Sequence, residues 1–187
     1  MNSRRILIAN LAKGVIGEQA ANLLGSLLIS HLQLVAMERG SLPVTERVPF
    51  FAHIDEFQTF SSDAFASLLS EARKFALHFC LANQYTDQLS NAVRSAVIGN
   101  AGTLIVFRVG SRDAELLAPE FRPMDHGALA DQEPFTAWLR RGIGRDRIFV
   151  EPKLYEPLGT AESIREQSRQ RFGRSRGAIE RQRRMRL

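Results

Sequence analysis

Short apolar runs alternate with longer helical stripes through most of the chain. Ile6, Leu7 and Ile8 predict a first buried strand over Arg4 to Asn10. From Gly17 to Arg39 the residues Leu24, Leu28, Leu32 and Val35 follow a helical period, and Ala20, Leu23, Leu27 and Leu34 widen the stripe, so this segment reads as a core helix. Ser41 to Arg47, with Pro43, reads as a loop before a second strand through Val48, Phe50, Phe51, Ala52 and Ile54. Ser61, Ser62 or Asp63 can cap the next helix, which aligns Phe65, Leu68, Leu69 and Ala72. Leu77, Phe79, Cys80 and Leu81 predict a third strand, Asp87 to Val97 a helix, and Thr103 to Val109 a fourth strand.

Strands separated by helices imply parallel crossovers, hence an α/β chain with a mostly parallel sheet and helices on both faces. Phe135 to Arg140 and Arg147 to Val150 flank Gly142 and Gly144, which predicts a hairpin on the sheet edge. His53, His78 and Cys80 fall in strand-like runs and are expected to be packing residues, as are Trp138 and the scattered Phe side chains.

Charge changes this picture only at one end. The 187 residues carry a formal net charge of +5, yet Ala161 to Leu187 holds nine Arg against three Glu, so the remainder is slightly acidic. The basic stretch, set within an expected tail over 156–187, reads either as a solvated extension with no specific partner or as a segment that attracts phosphates by counterion release. The rest, 1–155, is expected to form the folded domain. A single Cys and four dispersed His exclude a disulfide scaffold and a structural zinc site. The apolar run near the N-terminus is too short for a signal peptide, and Leu23 to Ile29 falls short of a membrane span, so a soluble, cytoplasmic chain is expected.

Candidate chemistry gathers at the strand ends, where open α/β sheets bind ligands. The second strand ends in Ile54, Asp55, Glu56 and Phe57. An aspartate there can hold hydrated magnesium, and a following glutamate can polarise a water. The third strand ends in Ala82, Asn83 and Gln84, and an uncharged amide at that edge can bond both a terminal phosphate oxygen and a water. Arg73 and Lys74 close the intervening helix. The macrodipole accounts for Lys74, whereas Arg73, a quarter turn to its side, could offer its planar fork to a phosphate on a neighbouring subunit.

Taken together, Asn10 to Gly17, Ile54 to Phe57, Glu71 to Lys74, Asn83 to Leu89 and Gly99 to Ala114 resemble the C-terminal part of the RecA-like ATPase domain of TraG/TraD-type conjugative coupling proteins and of the related HerA/FtsK ATPases. The resemblance implies a RecA-like P-loop NTPase core, truncated before the Walker B half, with an edge hairpin and a basic tail. It implies ATP and Mg2+ as cofactors, with Asp55 positioning the metal, Glu56 as catalytic base, Gln84 as phosphate sensor and Arg73 as the finger offered to the next protomer. It further implies DNA as cargo, a ring of subunits that is usually a hexamer, contacts with relaxosome or secretion-channel proteins, and a place at the cytoplasmic face of the inner membrane for the complete protein. Asp113 and the Gly110 to Ala114 turn also match the pattern, with no chemical role attached.

One part of that pattern is absent. Gly-x-x-x-x-Gly-Lys-Ser/Thr, whose backbone amides and lysine cradle phosphates, does not occur, and Lys13-Gly14-Val15-Ile16-Gly17 has its lysine on the wrong side of the glycines. The sequence is therefore expected to be a fragment or one piece of a split motor, inactive alone. The competing expectation is a non-enzymatic module that joins other subunits or binds DNA through its arginines. An unrelated hydrolase is disfavoured, since the single Gly-x-Ser-x-Gly match, Gly173 to Gly177, lies in the arginine-rich stretch and follows no strand-like run.

Overall fold

A computed structural model describes residues 1–2 and 5–185, and they form two compact units, Met1–Val150 and Glu151–Leu187. In the first unit α1 (Lys13–Ile16) and α2 (Glu18–Glu38) precede β1 (Phe50–Ile54), α3 (Asp63–Glu71), β2 (Leu77–Leu81) and α4 (Asn91–Asn100). Then follow β3 (Thr103–Val106), α5 (Ser111–Leu117), α6 (His126–Ala130), β4 (Thr136–Arg141) and β5 (Gly144–Phe149). The second unit holds α7 (Ala161–Phe172) and α8 (Arg176–Arg184).

The strands form two small sheets in place of the expected single one. β1 and β2 pair in parallel with Phe50 opposite Leu77 and Ile54 opposite Leu81, and α3 makes the crossover. β3, β4 and β5 form a separate antiparallel sheet in that order, so the mostly parallel sheet is corrected to a parallel pair. The expected hairpin is present, turning between Arg141 and Gly144. β3 stops at Val106, whose carbonyl is taken by the buried Gln132 amide at 3.1 Å, so the chain leaves the ladder before Val109.

Three further expectations give way. Arg5 to Asn10 has no strand, and Ile6, Leu7 and Ile8 are exposed; their apolar run lacks a neighbouring strand to complete a ladder, while Arg4 lies outside the described residues. Among the described residues, helices also do not cover both faces of the parallel pair. Ala52 and Leu77 are buried on one face, whereas Phe51, His53, His78 and Cys80 are exposed on the other, with Phe51 stacked on His78 at 4.9 Å. His53, His78 and Cys80 are thus surface residues of a one-sided sheet.

The third correction concerns α2, which buries mostly small residues and leaves several of its leucines exposed. Ala21, Gly25, Ile29 and Ala36 face inward, while Leu23, Leu24, Leu27 and Leu34 are exposed. Gly25 is required by a close approach: a Cβ there would lie 2.1 Å from the Phe60 ring. The helix and its 3-10 extension, Glu18–Ser41, are long and apolar enough to cross a bilayer, but the inward face packs on the core.

The core beside the parallel pair joins Ile29 and Ala36 from α2, Phe65 and Leu68 from α3, Val93 from α4, and Ala52 and Leu77 from the strands. Ser62, one of the three candidate caps, accepts the Phe65 N–H at 3.4 Å. Ser90 accepts the Val93 N–H at 3.3 Å and so starts α4 later than expected, leaving Thr86–Gln88 as a separate 3-10 turn. A second cluster joins Val106, Ala114, Leu117, Phe121 and Leu129, with Trp138 against it and its indole N–H donating to the Ala128 carbonyl at 2.9 Å. Below α2, the buried Arg39 guanidinium donates to the Val48 carbonyl; burial first and Arg47 second lower its pKa.

In the second unit no side chain of α7 or α8 is buried. Their order comes from local pairs: Arg165 with Glu162 at 3.3 Å, Arg169 with Glu166 at 2.8 Å and Arg176 with Glu180 at 2.8 Å. Ser175 caps α8 by accepting the Ala178 N–H at 3.3 Å.

Candidate functional site

Backbone pairing continues past the ends of the parallel strands and joins the two acidic and amide loops. The Ala82 N–H donates to the Ile54 carbonyl at 3.0 Å, and the Phe57 N–H donates to the Ala82 carbonyl at 3.1 Å. Asp55, Glu56 and Gln84 therefore emerge together at the C-terminal rim of the pair. Phe57 is buried and anchors the turn immediately after the doublet.

The local chain path is unusual at Glu56. Its φ of 48° is in the left-handed region, and its N–H is accepted by Asp55 Oδ1 at 3.0 Å. A non-glycine residue held there stores on the order of 1 kcal/mol, a feature that accompanies functional turns. Asp55 remains exposed, with no ion pair among the described residues.

Two groups converge on the Glu56 carboxylate. Gln84 Nε2 donates to Oε1 at 3.3 Å, and Lys13 Nζ lies 3.9 Å from Oε2. All three side chains reach solvent, so a polar ligand can approach and the ion pair by itself contributes little stability. Lys13 was not among the residues indicated by the sequence as site residues. Its spacing spoke only against a phosphate loop, and its place beside Glu56 depends on how the segment before α2 folds back.

Arg73 is not brought to this rim. It lies in the 3-10 turn Ala72–Phe75 that precedes β2, at the N-terminal end of the pair, and is exposed. Five-residue strands separate the two rims by roughly 17 Å. Lys74 stays near Glu71 at 3.9 Å, as a cation at a helix end should.

Among the described residues there is no group of three His, Cys, Asp or Glu side chains placed to enclose a metal ion. Magnesium takes one or two carboxylates and fills its remaining positions with water and substrate phosphates. Asp55, exposed at the strand end beside Glu56, is a suitable carboxylate of that kind.

The loop after Gln84 has its own buried anchor. Asp113, 7% exposed in the first turn of α5, accepts the Thr86 hydroxyl and the Thr86 N–H, the latter at 3.3 Å. Beside it Asp87 meets Arg112 at 2.9 Å and Arg94 at 3.9 Å. Tyr85, Asp87, Gln88 and Gly110–Asp113 line an open cleft of about 400 Å³.

Comparison with solved structures gives a consistent match. VirB4 of Thermoanaerobacter pseudethanolicus aligns with a TM-score of 0.57 at 13% identity, over 76% of this chain and 40% of VirB4. The plasmid coupling protein TrwB, in complex with the non-hydrolysable ATP analogue ADPNP, aligns with a TM-score of 0.57 at 18% identity, over 75% of this chain and 40% of TrwB. The unbound bacterial conjugative coupling protein TrwBΔN70 gives 0.54 at 18% identity, over 66% and 36%. The likeness establishes the fold. This chain spans about two-fifths of the length of these proteins. No protein-family model matches the sequence. Curated proteins give no match either.

Proposed function

We propose that this chain is part of a nucleotide-driven motor of the conjugative coupling kind, supplying the catalytic rim to a nucleotide held mainly by other polypeptide. The observation that carries this reading is the convergence of Glu56, Gln84 and Asp55 at one rim, on a fold shared with a coupling protein solved with an ATP analogue. In this reading Asp55 holds hydrated magnesium, which when bound neutralises charge on the transferring phosphate. Glu56 accepts a proton from the attacking water at its carboxylate. Gln84 orients the same water and contacts the terminal phosphate, so the hydrogen bond its amide donates to Glu56 exchanges for one to the ligand.

Arg73, on the far rim, serves the adjacent subunit in a head-to-tail ring rather than its own site. The phosphate grip comes from a segment bearing Gly-x-x-x-x-Gly-Lys-Ser/Thr. Exposed Ile6 to Ile8, the free edge of the parallel pair and the uncovered Phe51, His53, His78 and Cys80 face are surfaces that further polypeptide would cover. In a complete assembly of this kind the cargo is DNA, the ring is a hexamer, and its place is the cytoplasmic face of the inner membrane.

The test is complementation. The chain alone is expected to show no magnesium-dependent ATP turnover, and turnover should emerge when a phosphate-loop segment is supplied. Glu56→Gln should then lower kcat by about a hundredfold or more, the range for loss of a general base. A second reading is a non-enzymatic module binding DNA through its basic tail, favoured by the arginine-rich second unit. It prevails if no supplied segment restores turnover and removal of Ala161 to Leu187 abolishes DNA binding.

A further inference from the structure

Asp113 has a burial that helix formation does not explain. A carboxylate in the first turn of α5 would complement the macrodipole equally well at an exposed position, yet this one is 7% exposed and has no cation paired with it among the described residues. Its two oxygens instead take both donors of Thr86, the hydroxyl at Oδ1 and the N–H at Oδ2. Such charge-assisted bonds are the stronger kind and offset the desolvation of the carboxylate. Thr86 lies two residues beyond Gln84, and the next residue, Asp87, is bound to Arg112 of α5 at 2.9 Å. The loop is thus fixed at two consecutive positions to a helix that directly follows β3.

We propose that Asp113 is a positioning residue for the sensor amide: by holding Thr86 it sets Gln84 against Glu56, and with Asp87 and Arg112 it ties that loop to α5 and the β3–β5 sheet. The catalytic meaning rests on the reading of Gln84 as the group facing the terminal phosphate; the clamp itself can be measured without it. A change in what Gln84 contacts would then reach α5 through a short connection that ends on the buried Asp113 carboxylate.

The first arm uses the whole 187-residue chain and the NMR signal of the Gln84 side-chain amide, assigned by its loss in Gln84→Ala. Thr86→Val and Asp113→Ala should each move that signal, and speed exchange of the Thr86 N–H or its valine equivalent by roughly tenfold, about the worth of one hydrogen bond to a charged group. Thr86→Ser should restore both. An unmoved Gln84 signal in Thr86→Val overturns the proposal, and that variant decides alone if Asp113→Ala does not fold. The second arm measures ATP turnover with the phosphate-loop segment supplied. Thr86→Val should lower kcat about tenfold with KM for ATP nearly unchanged, and Thr86→Ser should recover it. Turnover indifferent to Thr86→Val but abolished by Gln84→Ala overturns the positioning role and leaves the motor reading standing. Turnover indifferent to Gln84→Ala removes the motor reading and this role together.

Discussion

Strain and chemistry meet at Glu56. Its left-handed backbone would suit glycine, yet the side chain present is one that Gln84 and Lys13 both approach. Comparing Glu56→Gly with Glu56→Ala separates the two contributions, because both lose the carboxylate and only one relieves the backbone. Glu56→Gly should be more stable than Glu56→Ala by about 1 kcal/mol in urea unfolding. Equal midpoints would show that the turn relaxes and stores no strain. The acidic doublet and the amide were legible in sequence because strand ends fix their location from the apolar runs before them. Lys13 and the Thr86–Asp113 contact were not, since each joins residues far apart in sequence through loops whose paths no periodicity encodes.

At the level of elements, α2 shows what hydrophobic pattern can and cannot decide. The helix itself was legible from its stripe, but an all-round apolar helix does not reveal which side is buried. Close packing selected Gly25, because the Phe60 ring sits where a larger residue at that position would project. Gly25→Leu should therefore cost about 1–3 kcal/mol as overpacking, despite the better helix propensity of leucine. Leu27→Gln, on the exposed side, should stay within about 0.5 kcal/mol of the parent. Chemical unfolding of both variants checks the assignment, and a reversal of the two costs would mean that the helix faces the other way. The one-sided sheet carries a similar lesson. Phe51, His53, His78 and Cys80 alternate with core residues at a period of two, the mark of a half-buried strand, but runs this short also suit strands buried on both faces.

For the whole molecule the charge is divided between its two units. The second unit has a buried residue in neither helix, and three of its arginines are matched by nearby glutamates. Arg171, Arg174, Arg181, Arg183 and Arg184 have no carboxylate partner among the described residues, and Arg171 stacks over the Phe172 ring at 5.3 Å. Five guanidinium groups without a carboxylate partner would release about as many condensed counterions from a single-stranded polynucleotide, so log K should fall against log salt with a slope near −3.5, from about 0.7 per phosphate contact. Deleting Ala161 to Leu187 should flatten that slope, because the remaining charge is slightly negative. Binding isotherms at several salt concentrations, with and without the segment, measure both quantities. A slope that survives the deletion would place the nucleic-acid contact on the first unit and leave the arginine-rich helices without a role in binding the strand.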